Sequence, residues 1–99
     1  MTMTEFSKFD VSDYLDSDET MIEYLAVAME DENPDVFIAA LGAVAKARGM
    51  SHIADASGLG RESLYKALKP GSKLRYETVQ KVVHALGFRL AVEKPSNAA

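Results

Sequence analysis

The chain has 99 residues, 47% of them apolar, and a formal net charge of −4, which suits one small domain with a single modest core. It contains no cysteine, so disulfides, thiolate zinc sites and cysteine nucleophiles are excluded, and so short a chain leaves little room for an enclosed active site. No apolar run approaches the ~20 residues of a membrane span, and the N-terminus lacks the basic start and apolar centre of a secretory signal, so a cytoplasmic protein with no membrane partner is expected.

Residues 1–8 show no periodicity and are assigned no element. Phe9, Val11, Tyr14 and Leu15 then interleave with Asp10, Ser12, Asp13 and Asp16, giving an apolar side and an acidic side that fit either a strand or one helical turn. Ser17 or Asp18 can cap a helix over residues 19–29, with Met21, Ile22, Leu25, Ala26, Ala28 and Met29 as its apolar stripe. Residues 30–33 form a polar connector. Asn33 as cap and Pro34 at the first helical position open a second helix to Arg48. Its inward set is Val36, Phe37, Ala40, Leu41, Val44 and Ala45, and Gly49 ends it. Gly42 costs that helix about 1 kcal/mol relative to Ala, a cost that a close helix crossing there would explain.

Ser51 is expected to cap a third helix to Ser57, with Gly58, Leu59 and Gly60 as a turn and a fourth helix over residues 61–68. Ala54, Gly58 and Leu64 fall where a helix-turn-helix needs them. Two helices crossing at about 90–120° after a 3–4-residue turn leave room only for a methyl at the contact, and the turn requires positive φ. Pro70 and Gly71 stop the fourth helix. A fifth spans residues 76–86, with Val79, Val82, Val83 and Leu86 inward. Phe88, Leu90 and Val92 then alternate with Arg89, Ala91 and Glu93, which predicts one short strand. A lone strand needs a partner, and a twofold-related copy is the simplest supplier, making Phe88, Leu90 and Val92 candidate dimer residues. The fifth helix is the alternative dimer element.

Charge divides the chain at Ala47. Residues 1–47 hold eleven acids against Lys8 and Lys46, a balance of −9, while residues 48–99 hold nine Lys or Arg against Asp55, Glu62, Glu77 and Glu93, a balance of +5. The split suggests an anionic partner for the C-terminal half and a cationic one for the N-terminal half. Acids that merely complement helix starts and aid solubility are the other reading of the acidic half.

The fourth helix offers Arg61, Glu62, Ser63, Tyr65 and Lys66 outward, a set suited to base edges and phosphates in a major groove. Arg61 can fork onto guanine or hold a phosphate. Lys66, Lys69, Lys73 and Arg75 form a rim for phosphates, and Ser51 and His52 are further candidate contacts. Tyr65 can instead pack its ring on Leu68 or Val79, and Glu62 is better read as an acid complementing the helix dipole. His52 and His84 have no second histidine at ligand spacing, the glycines lack the P-loop's Lys and Ser/Thr, and no catalytic triad order is present. No metal, cofactor or catalytic residue is expected, and the function is binding.

Four blocks, FDVSDYLDSDE at 9–19, EDENPDVFIAALGAVAKARGM at 30–50, GLGRESLYKAL at 58–68 and TVQKVVHALGFRL at 78–90, resemble the HigA-related group of probable addiction module antidote proteins. The resemblance spans residues 9–92. It implies an all-α, Cro/repressor-like five-helix helix-turn-helix domain with an N-terminal helical extension and a short C-terminal strand. It further implies a homodimer that binds double-stranded operator DNA at its own gene and neutralises a small basic toxin of the RelE/HigB type, an mRNA-cleaving ribonuclease. Under this reading residues 1–33 form an acidic extension in which Phe9, Val11, Tyr14 and Leu15 contact the toxin. Residues 34–93 form the DNA-binding domain, and residues 94–99 a disordered tail. Two other readings stay open: a phage-type transcriptional regulator without a toxin, and a protein-binding adaptor that no longer binds DNA.

Overall fold

The computed structural model describes residues 10–94. Five α-helices and a leading 3-10 turn pack around one core, and no strand occurs among the described residues. The 3-10 turn, Val11–Tyr14, forms because the Asp10 carboxylate accepts the Ser12 amide at 3.0 Å, closing a local loop that a strand would not tolerate. Asp10 also pairs with Lys46, pinning the turn to the second helix. This local bond settles the choice between strand and helical turn.

Helix α1, Asp18–Met29, opens on a reciprocal cap in which Ser17 Oγ accepts the Thr20 amide and Thr20 Oγ1 accepts the Ser17 amide, both at 3.2 Å. Helix α2, Pro34–Arg48, begins with Asn33 Oδ1 accepting the Asp35 amide at 3.0 Å. Lys46 and Arg48 sit in its last turn, where the helix dipole favours cations, and Arg48 reaches Asp18 at 2.5 Å. At Gly49 the backbone takes φ +112° and ψ +111°, so helix α3, Met50–Ser57, leaves α2 at 106° with no intervening loop. A side chain would strain that conformation. The expectation that Ser51 caps α3 fails for this reason: the helix already starts at Met50, its N-cap is Gly49, and no side chain caps it.

Helix α4, Arg61–Ala67, and helix α5, Tyr76–Ala85, complete the set. Helix α2 is the centre of the arrangement: α1, α3 and the 3-10 turn pack on it, while α3 in turn contacts α4 and α5. Leu41, Val44, Ile53, Leu64, Val82 and Leu86 are the largest fully buried side chains. Leu15, Met21, Leu25 and Ala28 from the acidic half join the same cluster, so both charge halves share one core. Gly42 faces the end of α4, where an added Cβ would stand 3.5 Å from the Leu68 carbonyl oxygen, an ordinary contact distance, so no close helix crossing demands a glycine there.

The expected strand at residues 88–92 is absent. The Phe88 amide donates to the Val83 carbonyl at 3.1 Å across Gly87, which is at φ +89°, so this segment begins as the locked end of α5. A hydrophobic residue just past such a helix stop packs back onto the last turn, and Phe88 is half-buried against the core. That packing, rather than strand pairing, explains the first apolar position of the alternating pattern.

Candidate nucleic-acid interface and acidic face

Helices α3 and α4 are joined by a three-residue turn whose geometry follows from its glycines and one small residue. Gly58 takes the left-handed conformation at φ +76°, and its amide donates to the Ala54 carbonyl at 3.1 Å; the Gly60 amide reaches the same oxygen at 3.4 Å. Ser57 Oγ accepts the Leu59 amide at 3.3 Å. Ala54 and Leu64 are buried beneath the turn, with Ile53 beside them. This anchors α4 by one face. The seven-residue helix buries only Leu64 and leaves Arg61, Glu62, Ser63, Tyr65 and Lys66 exposed.

Within that exposed set, the Arg61 guanidinium stands 5.8 Å from the centre of the Tyr65 ring, a cation–π separation. Tyr65 is 51% exposed, so its ring lies under Arg61 at the surface and is not packed away in the core. Glu62 occupies the first turn of α4, which has no side-chain cap, where the macrodipole favours an acid. Lys69, Lys73 and Arg75 are exposed on the loop that follows α4. Leu68 and the partly buried Leu74 hold the two ends of this loop on the core, and Ser72 Oγ donates to the Ala67 carbonyl at 2.6 Å. Ser51 and His52 are exposed in the first turn of α3.

The N-terminal candidates are scattered. Phe9 lies outside the described residues. Leu15 is only 5% exposed and belongs to the core, Val11 is half-buried, and Tyr14 is exposed. Of the dimer candidates, Phe88 and Leu90 are half-buried against this chain's own core, and Arg48 lies 5.7 Å over the Phe88 ring; Val92 is fully exposed. The Lys46 ammonium pulls the Asp10 carboxyl down to about 2, with the Ser12 amide and hydroxyl adding to the effect. Asp10 in turn raises Lys46, first through the hydrogen bond and then through its charge, and Asp13 and Tyr65 raise it further.

The sequence reading missed the exposed apolar surface of the acidic half: Ile22, Val27, Met29 and Val36 all reach solvent. A signal was present, because α1 carries more apolar positions than one core-facing stripe can bury. Among the described residues, no group of three or more His, Asp or Glu side chains is placed to hold a metal ion.

Among the described residues, one helical core thus carries an anchored, cation-bearing surface helix and an exposed acidic face. The family described as "Probable addiction module antidote protein" matches residues 5–94, and the chain belongs to that family. A protein of Haemophilus influenzae strain Rd, described as uncharacterized, is 41% identical over 93 residues, covering 93% of this chain and 96% of its own. No solved structure gives a significant match. Family membership points to an antitoxin role, and an antidote has a toxin of some kind as its partner.

Proposed function

We propose that this chain is the antitoxin of a type II toxin–antitoxin module, acting in the cytoplasm as a homodimer that represses its own operon and neutralises a RelE/HigB-type mRNA-cleaving toxin. The observation that carries the DNA half of this reading is the α3–α4 elbow, with Ala54 and Leu64 buried beneath it and Arg61 to Lys66, except Leu64, turned to solvent. In a helix-turn-helix the second helix enters the major groove with its N-terminal residues at base edges. Arg61 is the first residue of α4. A guanidinium there can donate two bonds to guanine O6 and N7, while Lys66, Lys69, Lys73 and Arg75 neutralise phosphates.

Two copies related by a twofold axis would set their α4 helices about 34–36 Å apart, one duplex turn, on a palindromic site. The charge division supports separate faces. Residues 34–93 carry the DNA-binding surface, and the acidic residues before them attract a ribonuclease that is basic because it works on RNA.

The test is fluorescence anisotropy with a duplex from upstream of the chain's own gene. Arg61→Ala combined with Lys66→Ala should weaken binding at least 30-fold, about 2 kcal/mol or more for one lost base contact and one phosphate contact, with the circular dichroism spectrum unchanged. Undiminished affinity in the double variant contradicts the assignment of α4.

A further inference from the structure

Helix α1 uses Met21, Leu25 and Ala28 to face the core. At about 100° per residue, Tyr24 and Val27 lie to one side of that stripe. With Ala28 and Asp31 they line an open groove against Val36, Ala39 and Ala40 of α2. Its apolar floor is incompletely covered: Val27 is 63% exposed and Val36 37%. Nothing in the chain's own core requires two valines at those positions, and contiguous exposed apolar surface with a polar border marks interaction sites.

The border has a single sign. Asp31 lines the groove, Glu23 and Glu30 lie one helical turn before and after Val27, Asp35 lies one turn before Ala39 on α2, and none of the four has an ion-pair partner among the described residues. From residue 9 to residue 45 the sequence contains no Lys or Arg. DNA is repelled by such a rim. A second copy of the chain seated here by twofold symmetry would bring carboxylates against carboxylates. The complementary occupant carries cations around an apolar centre.

We infer that the α1–α2 groove is the docking site for a basic amphipathic segment of the partner protein, with one or two apolar side chains seated among Tyr24, Val27, Val36 and Ala39 and flanking Lys or Arg residues meeting Glu23, Glu30 and Asp35. This rests on the antitoxin reading and shifts the toxin contact away from the segment at residues 9–15, where Leu15 is already buried. Apolar anchors within a charged rim give such an interface its affinity, and the rim its association rate and salt dependence.

The experiment measures binding of the full chain to the purified product of the reading frame adjoining its gene, by calorimetry at low and high salt. Val27→Asp with Val36→Asp adds negative charge yet should weaken the complex at least 100-fold, with thermal unfolding and operator binding retained because both sites are already exposed. Glu23→Lys with Glu30→Lys leaves the apolar floor intact and should weaken it about tenfold at low salt, the loss shrinking at high salt. A complex untouched by the valine changes but lost on Tyr14→Asp overturns the groove while leaving the antitoxin reading standing. Dissociation of a homodimer by the valine changes, seen in sedimentation, overturns it in favour of a second copy. Absence of any complex with the unmodified chain removes both readings together.

Discussion

Asp10 shows how much one side chain fixes at the N-terminal end of the described chain. Its carboxylate closes the 3-10 turn through the Ser12 amide and ties that turn to α2 through Lys46. Because its folded pKa is lowered to about 2 from 3.8, its contribution to stability is present above about pH 4 and is lost as pH falls through about 2. Asp10→Asn keeps an oxygen for the Ser12 amide and removes the charge. Both partners are exposed, so the variant should lower Tm only modestly at pH 7, with the gap from wild type narrowing on acidification and closing near pH 2. A gap that persists at pH 2 means the ion pair is not its cause. Gly42 makes a second residue-scale case. An added methyl meets Leu68 at ordinary contact distance, so Gly42→Ala should stabilise the fold by up to about 1 kcal/mol in urea titration, the propensity gain of a helix interior. A loss of stability shows that Leu68 leaves less room beside α2 than this spacing.

At the scale of elements, the breaks between helices decide the architecture. Gly49 turns the chain through 106° within one residue and so directs α3 and the elbow that follows. Its φ of +112° lies where L side chains are rare, and Gly49→Ala should cost about 1–3 kcal/mol by chemical denaturation. A neutral result contradicts the strained bend. Much of this scale was legible in the sequence. Asn33–Pro34 and Gly49 mark both ends of α2, and Gly58–Leu59–Gly60 marks the turn, because caps and breakers act through local bonds that a string of residues displays.

What escaped depends on the neighbour. Ser51 looks like a cap, yet the cap of α3 lies two residues earlier because Gly49 serves two helices at once. Phe88 looks like the start of a strand, yet it packs beyond a helix stop whose hydrogen bond to Val83 no periodicity reveals. Ile22 and Met29 read as core positions but are exposed, since only the tertiary arrangement says which part of a wide apolar arc on α1 is covered. In the candidate site, the outward set on α4 followed directly from helical periodicity around Leu64. The acidic face did not: Leu15 is in the core, and the exposed apolar residues lie one helix later.

For the whole molecule, one core joins two halves of opposite charge, −9 before residue 48 and +5 from there onward. Burying Leu15, Met21, Leu25 and Ala28 with Leu41, Ile53 and Leu64 means the acidic face cannot separate from the elbow without opening shared packing. Helix α2 touches both α1 and α3, and α3 touches α4, so the two faces are joined through one packed core. The proposed repressor role requires that α4 meet duplex DNA. Titration of the isotope-labelled chain with the duplex from upstream of its gene, followed by amide chemical shifts, addresses that directly. Shifts confined to Arg61–Lys66, the loop at residues 69–75 and the first turn of α3 are predicted, with α1 silent; shifts centred on α1, or none at all at saturating DNA, would contradict it.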